Sequence, residues 1–158
     1  MEQKDKEFEL KKYRDLVITT IDFYLDNKSH RIKTNDFDSD EHFRTLKLET
    51  EEHYNKGRLT KLKQWFKDLT EQQIECKNLK FNDYLNQNTD YDVNIFQSYL
   101  DNIEKIIEKG RITTVNQYYD LNLFVDQLCQ IEQADKEKIN RINLLLANFN
   151  RTKKRNTN

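Results

Sequence analysis

The sequence predicts an all-α fold, a single-domain bundle of five to six helices joined by short loops, and three observations predict it. The 158 residues contain no proline and only two glycines, where average usage gives about eight and about eleven in that length, so turn-rich β architectures are disfavoured. Apolar residues recur at three- and four-residue intervals along nearly the whole chain. The two glycines, Gly57 and Gly110, stand at the ends of such periodic segments, where a left-handed residue stops a helix. Nine Phe, eight Tyr and a hydrophobic class of 35% make the chain too aromatic for disorder despite its many charges. A chain of this length buries about 70% of its unfolded surface, enough for a core without staples.

Each element follows from its own pattern. Leu10, Tyr13, Val17, Ile21 and Tyr24 form one stripe of a helix over residues 4–27, although the β-branched run from Val17 to Ile21 also suits a strand. The polar residues 28–37 read as a loop. Asp38 with Glu41 has capping-box spacing and opens a second helix, with Phe43, Leu46 and Tyr54 inward. On one helical wheel those three centre at about 85°, whereas Leu59, Leu62, Trp65, Phe66, Leu69 and Cys76 centre at about 200°. One straight helix would bury both sets only by packing on two sides, so a break at Gly57 is expected, with a separate helix over 59–77. Residues 80–88 read as a short helix or turn anchored by Phe81, Tyr84 and Leu85. A helix over 90–109 carries Val93, Phe96, Leu100, Ile103 and Ile107, and Gly110 ends it. Thr114 with Gln117 is a second capping box, opening a helix through Tyr118, Leu121, Val125, Leu128 and Ile131. Asp135 caps the last helix, with Ile139, Ile142, Leu145, Leu146 and Phe149 inward. No internal repeat or linker interrupts this order, so residues 1–150 are expected to form one domain. The abundant Asn and Gln read as compositional bias.

Charge and cysteine narrow the function classes. The net charge is −1, so no global basic field attracts nucleic acid or an anionic membrane. Residues 151–158 are the local exception: Arg151, Lys153, Lys154 and Arg155 are unopposed by any acid, which suggests a flexible basic tail. Cys76 and Cys129 belong to no CxxC pair and lie near the apolar sides of their helices, the pattern of buried free thiols in a reducing compartment. No apolar run approaches a membrane span or a signal-peptide core. A cytoplasmic protein without membrane contact is expected.

No catalytic apparatus is visible. His42, Glu49 and His53 fall within about 40° on one helix, but two turns, about 10.5 Å, separate His42 from Glu49; surface histidines are the preferred reading and no metal site is expected. None of the three histidines, His30, His42 and His53, has the ExxH partner of a di-iron bundle, and none follows an Arg after four to six intervening residues as in helical ribonucleases of the HEPN type. Asp36, Asp38 and Asp40, and again Asp90, Asp92 and Asn94, begin like calcium loops, yet Glu41 and Ile95 occupy the glycine position. Such acids suit helix N-termini. Two isolated glycines cannot write a nucleotide-binding loop. A non-enzymatic protein without a cofactor is expected.

Two binding readings remain. Lys56, Lys63 and Lys67 would share one helical face opposite the apolar one, and with Arg151, Lys153, Lys154 and Arg155 they make a candidate nucleic-acid surface. The aromatics Trp65 and Phe66 lie on the inward side, so no base-stacking platform accompanies those lysines. Tyr91, Tyr99, Tyr118 and Tyr119, set among acids, have an interface composition and are the candidate partner-binding residues.

The C-terminal stretch adds a resemblance. Residues Gly110 to Thr114, Asn116 to Tyr118, Val125 to Leu128, and Leu144 to Leu146 with Phe149 are similar to the ends of small all-helical bacterial proteins of unassigned function. More loosely they resemble the helical hairpin that precedes the DNA-binding domain of host-inhibition-of-growth antitoxins. The match covers about 40 residues at helix-forming positions, and where such an antitoxin continues into a helix-turn-helix this sequence runs Arg151 to Asn158. The resemblance implies a partner-binding hairpin and transfers no functional residue. Binding of another protein, as a small regulator, inhibitor or immunity-type protein, is therefore the expected function, with nucleic-acid association the alternative.

Overall fold

A computed structural model describes residues 2–157. Seven α-helices and one 3-10 turn are present among them, and no strand. They are α1 (Gln3–Asp26), α2 (Ser39–Asn55), α3 (Leu59–Glu75), α4 (Leu79–Asn88), α5 (Gln97–Lys109), α6 (Val115–Cys129) and α7 (Lys136–Asn156). The count exceeds the expected five to six because residues 79–88, left between helix and turn by their pattern, form a regular helix with Phe81 and Leu85 buried. Contacts group the chain into two compact units, residues 1–96 and 97–158.

In the first unit α1 is the central helix. Leu16, Val17, Thr20 and Ile21 are buried over two of its turns, so the β-branched run is helical and tertiary packing decides against its strand propensity. Glu9 pairs with Lys63, and Tyr13 meets Phe66 edge-on at 5.9 Å, so α1 and α3 run in the same direction. Lys47 reaches Asp22 at 2.7 Å while the Arg14 guanidinium sits 4.4 Å from the centre of the Tyr54 ring, which sets α2 antiparallel to α1. Phe23 packs on Phe81 and Tyr84 of α4. Three of the four buried threonines are satisfied within their own helices: Thr20, Thr50 and Thr70 donate to the carbonyls of Leu16, Leu46 and Phe66 at 2.7–2.8 Å.

The stop signals act as expected, with adjustments. Gly57 adopts φ +65° and separates α2 from α3. Asp38 caps α2 by accepting from the amide of Asp40. Thr114 accepts from the Gln117 amide, while the Gln117 side chain turns to Thr113 instead of completing the box. Asp135 accepts from the Lys138 amide.

Four expectations are corrected. Residues 90–96 are not helical, because α4 intercepts their backbone with amide side chains. Asn82 and Asn86, one turn apart, both donate to the Val93 carbonyl, and they accept from the amides of Ile95 and Val93 at 2.8–3.0 Å. Two of the asparagines read as compositional bias thus form a clamp. Cys76 and Cys129 are exposed: the first caps the end of α3 and the second is the last residue of α6, where the inward stripes have run out. Ile131, expected inside, lies beyond α6 and is exposed. The basic residues expected in a flexible tail are the last turns of α7, where cations complement the negative end of the helix dipole.

In the second unit α6 and α7 are antiparallel, with Tyr118 stacked on Phe149 at 5.4 Å and Lys138 over the Phe124 ring. Ile103, Leu121, Val125 and Ile142 are buried.

Two substitutions test this architecture. Leu62→Ala, at a fully buried position of α3, is expected to cost about 2–5 kcal/mol in a denaturant melt. Gly57→Ala meets no atom within 4 Å, so its expected loss, about 1–2 kcal/mol, comes from the left-handed backbone alone.

Candidate partner-binding surface

The structure separates the four candidate tyrosines. Tyr99 is buried at 8% exposure, its ring edge-on to Phe124 and its hydroxyl donating to the Asp120 carbonyl at 3.2 Å. Burial, with the charge of Asp120 adding to it, pushes its pKa up to about 12. It belongs to the core of the second unit and offers nothing to a partner. Tyr91, in the first unit, is half-buried and donates to Asp15 at 2.7 Å. Burial pushes the Asp15 carboxyl up, but the bonds from Tyr91, Arg14 and Lys11 outweigh it and hold it below the usual carboxylate range. Tyr91 is therefore a structural link. Tyr118 faces α7, where its hydroxyl accepts from Asn150 at 3.2 Å. Tyr119, at 63% exposure, alone faces solvent freely.

Around Tyr119 the second unit presents more than one exposed apolar group. Val115, Tyr119 and Leu123 are all exposed and follow one another at four-residue spacing, so they form a ridge along α6. The buried residues Leu121, Phe124 and Val125 lie on nearly the opposite side of the same helix. Apolar residues thus occupy both faces of α6, where an ordinary surface helix has one apolar stripe. Sequence reading for a single stripe missed the second, although its spacing is plain.

Val115 also lines a groove of about 480 Å³ between the 110–115 segment and the C-terminal half of α7. Ile112, Val115, Leu145 and Phe149 give it an apolar floor, and Arg111 and Lys153 line it as well. Neither cation has a carboxylate partner among the described residues. The groove can bury apolar side chains while pairing anionic groups at its cations, a combination suited to an amphipathic, acidic segment.

The alternative basic stripe is not assembled as drawn. Lys56 follows α2 and Lys63 and Lys67 lie on α3, so the three do not share a helix. Lys56 pairs with Glu52, and Lys63 with Glu9 at 3.0 Å. Arg151, Lys153, Lys154 and Arg155 have no such partners among the described residues and stand on consecutive turns of α7.

The histidines also separate. His42 packs against Phe37 and Phe43, and His53 sits edge-on to Trp65 at 4.9 Å. Burial, with Arg58 and Lys61 adding to it, lowers the pKa of His53. Among the described residues no three His, Cys, Asp or Glu side chains gather as a metal site, and no helix is long and apolar enough to cross a membrane.

The Asp15 link carries a pH signature. A carboxyl held below its unfolded pKa stabilises the fold at pH values above the unfolded value and loses that contribution as pH falls through the folded one. Asp15→Asn is therefore expected to lower the melting temperature at pH 7, with the gap to the parent closing as both are acidified below about pH 4. A gap that stayed constant with pH would show that the carboxylate charge is immaterial.

The chain matches no protein-family model, no curated protein and no solved structure.

Proposed function

We propose that this protein acts without catalysis, by binding another protein, and that the groove of the second unit seats an acidic amphipathic segment of that partner. The observation that carries the reading is the groove itself, an apolar floor of Ile112, Val115, Leu145 and Phe149 with unpaired Arg111 and Lys153 beside it. A partner helix would lay its apolar side on that floor and on the neighbouring ridge of Tyr119 and Leu123, and place its carboxylates against the two cations. The exposed Arg151, Lys154 and Arg155 extend the positive field and steer the approach of an acidic segment. Such a protein would serve as a small regulator or inhibitor of whatever carries the segment. The sequence resemblance to a partner-binding hairpin supports the same stretch.

Affinity capture from lysate of the source cell, with nuclease treatment, tests this. A stoichiometric protein partner is expected to survive nuclease and to be lost with Arg111→Glu/Lys153→Glu, which removes two charge-assisted contacts and weakens binding by roughly 100-fold. Tyr119→Asp is expected to weaken it further, since it sets an acid on the apolar ridge. Both sites are at the surface, so melting temperatures should fall only slightly, by the loss of a helix-dipole cation at Lys153. Recovery of nucleic acid alone, or capture indifferent to these variants, would overturn the reading and favour the basic turns of α7 as a phosphate contact.

A further inference from the structure

The first unit is acidic on balance, with 17 Lys and Arg against 20 Asp and Glu in residues 1–96. Many of its cations are neutralised: Lys11 and Arg14 by Asp15, Arg31 by Asp40, Lys33 by Asp38, Lys47 by Asp22, Lys56 by Glu52 and Lys63 by Glu9. Lys6, Arg58 and Lys61 are set apart by their place. None has a carboxylate partner among the described residues, and all three line one open cavity of about 740 Å³.

The three cations come from separate places in the chain. Lys6 stands near the start of α1, Arg58 is the residue before α3, and Lys61 lies in the first turn of α3. The Arg58 guanidinium is 3.4 Å from Nδ1 of His53, and the Lys61 ammonium lies 5.8 Å from the centre of the Trp65 ring. His53, Leu59 and Thr60 complete the relevant wall. Arg58 gives α3 no side-chain cap, so the amides of that turn add to the field. Three cations lining one cavity, rather than the helix end, make it attractive to anions. Burial lowers the His53 pKa most, and Arg58 and Lys61 lower it further against the opposing charges of Glu52 and Glu49.

We propose that this cavity binds a small, soluble phosphate-bearing molecule, with Lys6, Arg58 and Lys61 as the groups that hold its phosphates. Three cations suit a ligand carrying at least two negative charges, which a lone carboxylate does not. The guanidinium of Arg58 can pair two phosphate oxygens at once, while the lysines act as point charges. The volume falls within the range of small-molecule pockets, about 300–1,000 Å³, and exceeds what a bare phosphate fills. Leu59 provides apolar surface for an organic body.

Isothermal titration of the full chain with pyrophosphate and with adenosine triphosphate tests this at moderate salt. Saturable binding is expected, tighter for the triphosphate because it fills more of the cavity. Arg58→Glu and Lys61→Glu should each weaken it by about tenfold or more, while Lys80→Glu on α4, a reversal of the same charge away from the cavity, should not. Circular dichroism melts of each variant identify any that fail to fold, and Lys6→Gln serves as a milder third variant. Absence of saturable binding up to about 10 mM, equal loss with Lys80→Glu, or binding only to vesicles containing phosphatidic acid would each overturn the proposal. Arg111→Glu/Lys153→Glu should leave pyrophosphate binding intact, so failure here and failure of the protein-binding reading are distinguishable.

Discussion

Within the first unit, the Tyr24 side chain joins helices that sequence alone leaves separate. Its hydroxyl donates to the Leu69 carbonyl at 2.6 Å and accepts from Nε2 of Gln73 at 3.2 Å. The buried Gln73 in turn accepts from the Asn78 amide side chain at 2.8 Å, at the entry to α4. On its face the Tyr24 ring stacks on Phe43 of α2 at 5.2 Å. One side chain of α1 therefore fixes α3, α2 and the approach to α4, and the Tyr24 hydroxyl and both ends of the Gln73 amide are matched. Removing one member would strand a buried partner, at a cost of about 1–3 kcal/mol. Burial, only partly offset by the bond from Gln73, raises the Tyr24 pKa, so the hydroxyl stays protonated and keeps its role as donor.

The direction of the helices follows from this arrangement and places the charged residues. Tyr24 fastens the end of α1 to the later turns of α3, while Tyr13 meets Phe66 earlier in both helices. Two helices held in the same direction bring their N-terminal ends together, and α2, running the other way, delivers its C-terminal residues there. Lys6, His53, Arg58 and Lys61 consequently line one cavity although they are spread over 56 residues. Aligned positive helix ends repel one another. The antiparallel α2 and the Glu9–Lys63 pair offset that repulsion nearby.

What was legible in the sequence was whatever depends on neighbours a few residues away. Gly57 between two apolar stripes of different orientation, and the caps at Asp38, Thr114 and Asp135, act through local backbone chemistry. Less legible was anything that depends on which element arrives opposite. Asp90 to Phe96 carries helical periodicity, yet loses its helix to Asn82 and Asn86, whose amides compete for the same backbone groups. Tyr99 and Tyr119 look alike in composition, but the first falls on the buried side of α5 and the second on the outer side of α6. The lysine stripe fails for a related reason: a wheel drawn through Gly57 assumes continuous rotation, and Glu9, 54 residues before Lys63, cannot be anticipated from it.

The two units put their aromatic and apolar side chains to different use. In the first, Phe23, Tyr24, Phe43, Phe81 and Tyr84 form a connected ring network in which each aromatic has a neighbour from another helix. In the second, α6 turns Val115, Tyr119 and Leu123 outward although its opposite side already fills the core. That outward ridge does nothing for the core of its own unit, and exposed apolar side chains in a row favour association. Polar residues Asn122 and Asp126 border the ridge, so it is narrow, and Arg111 and Lys153 line the adjoining groove. A folding requirement explains the inner face of α6, where Leu121, Phe124 and Val125 are buried, and the binding proposed above would use the outer one.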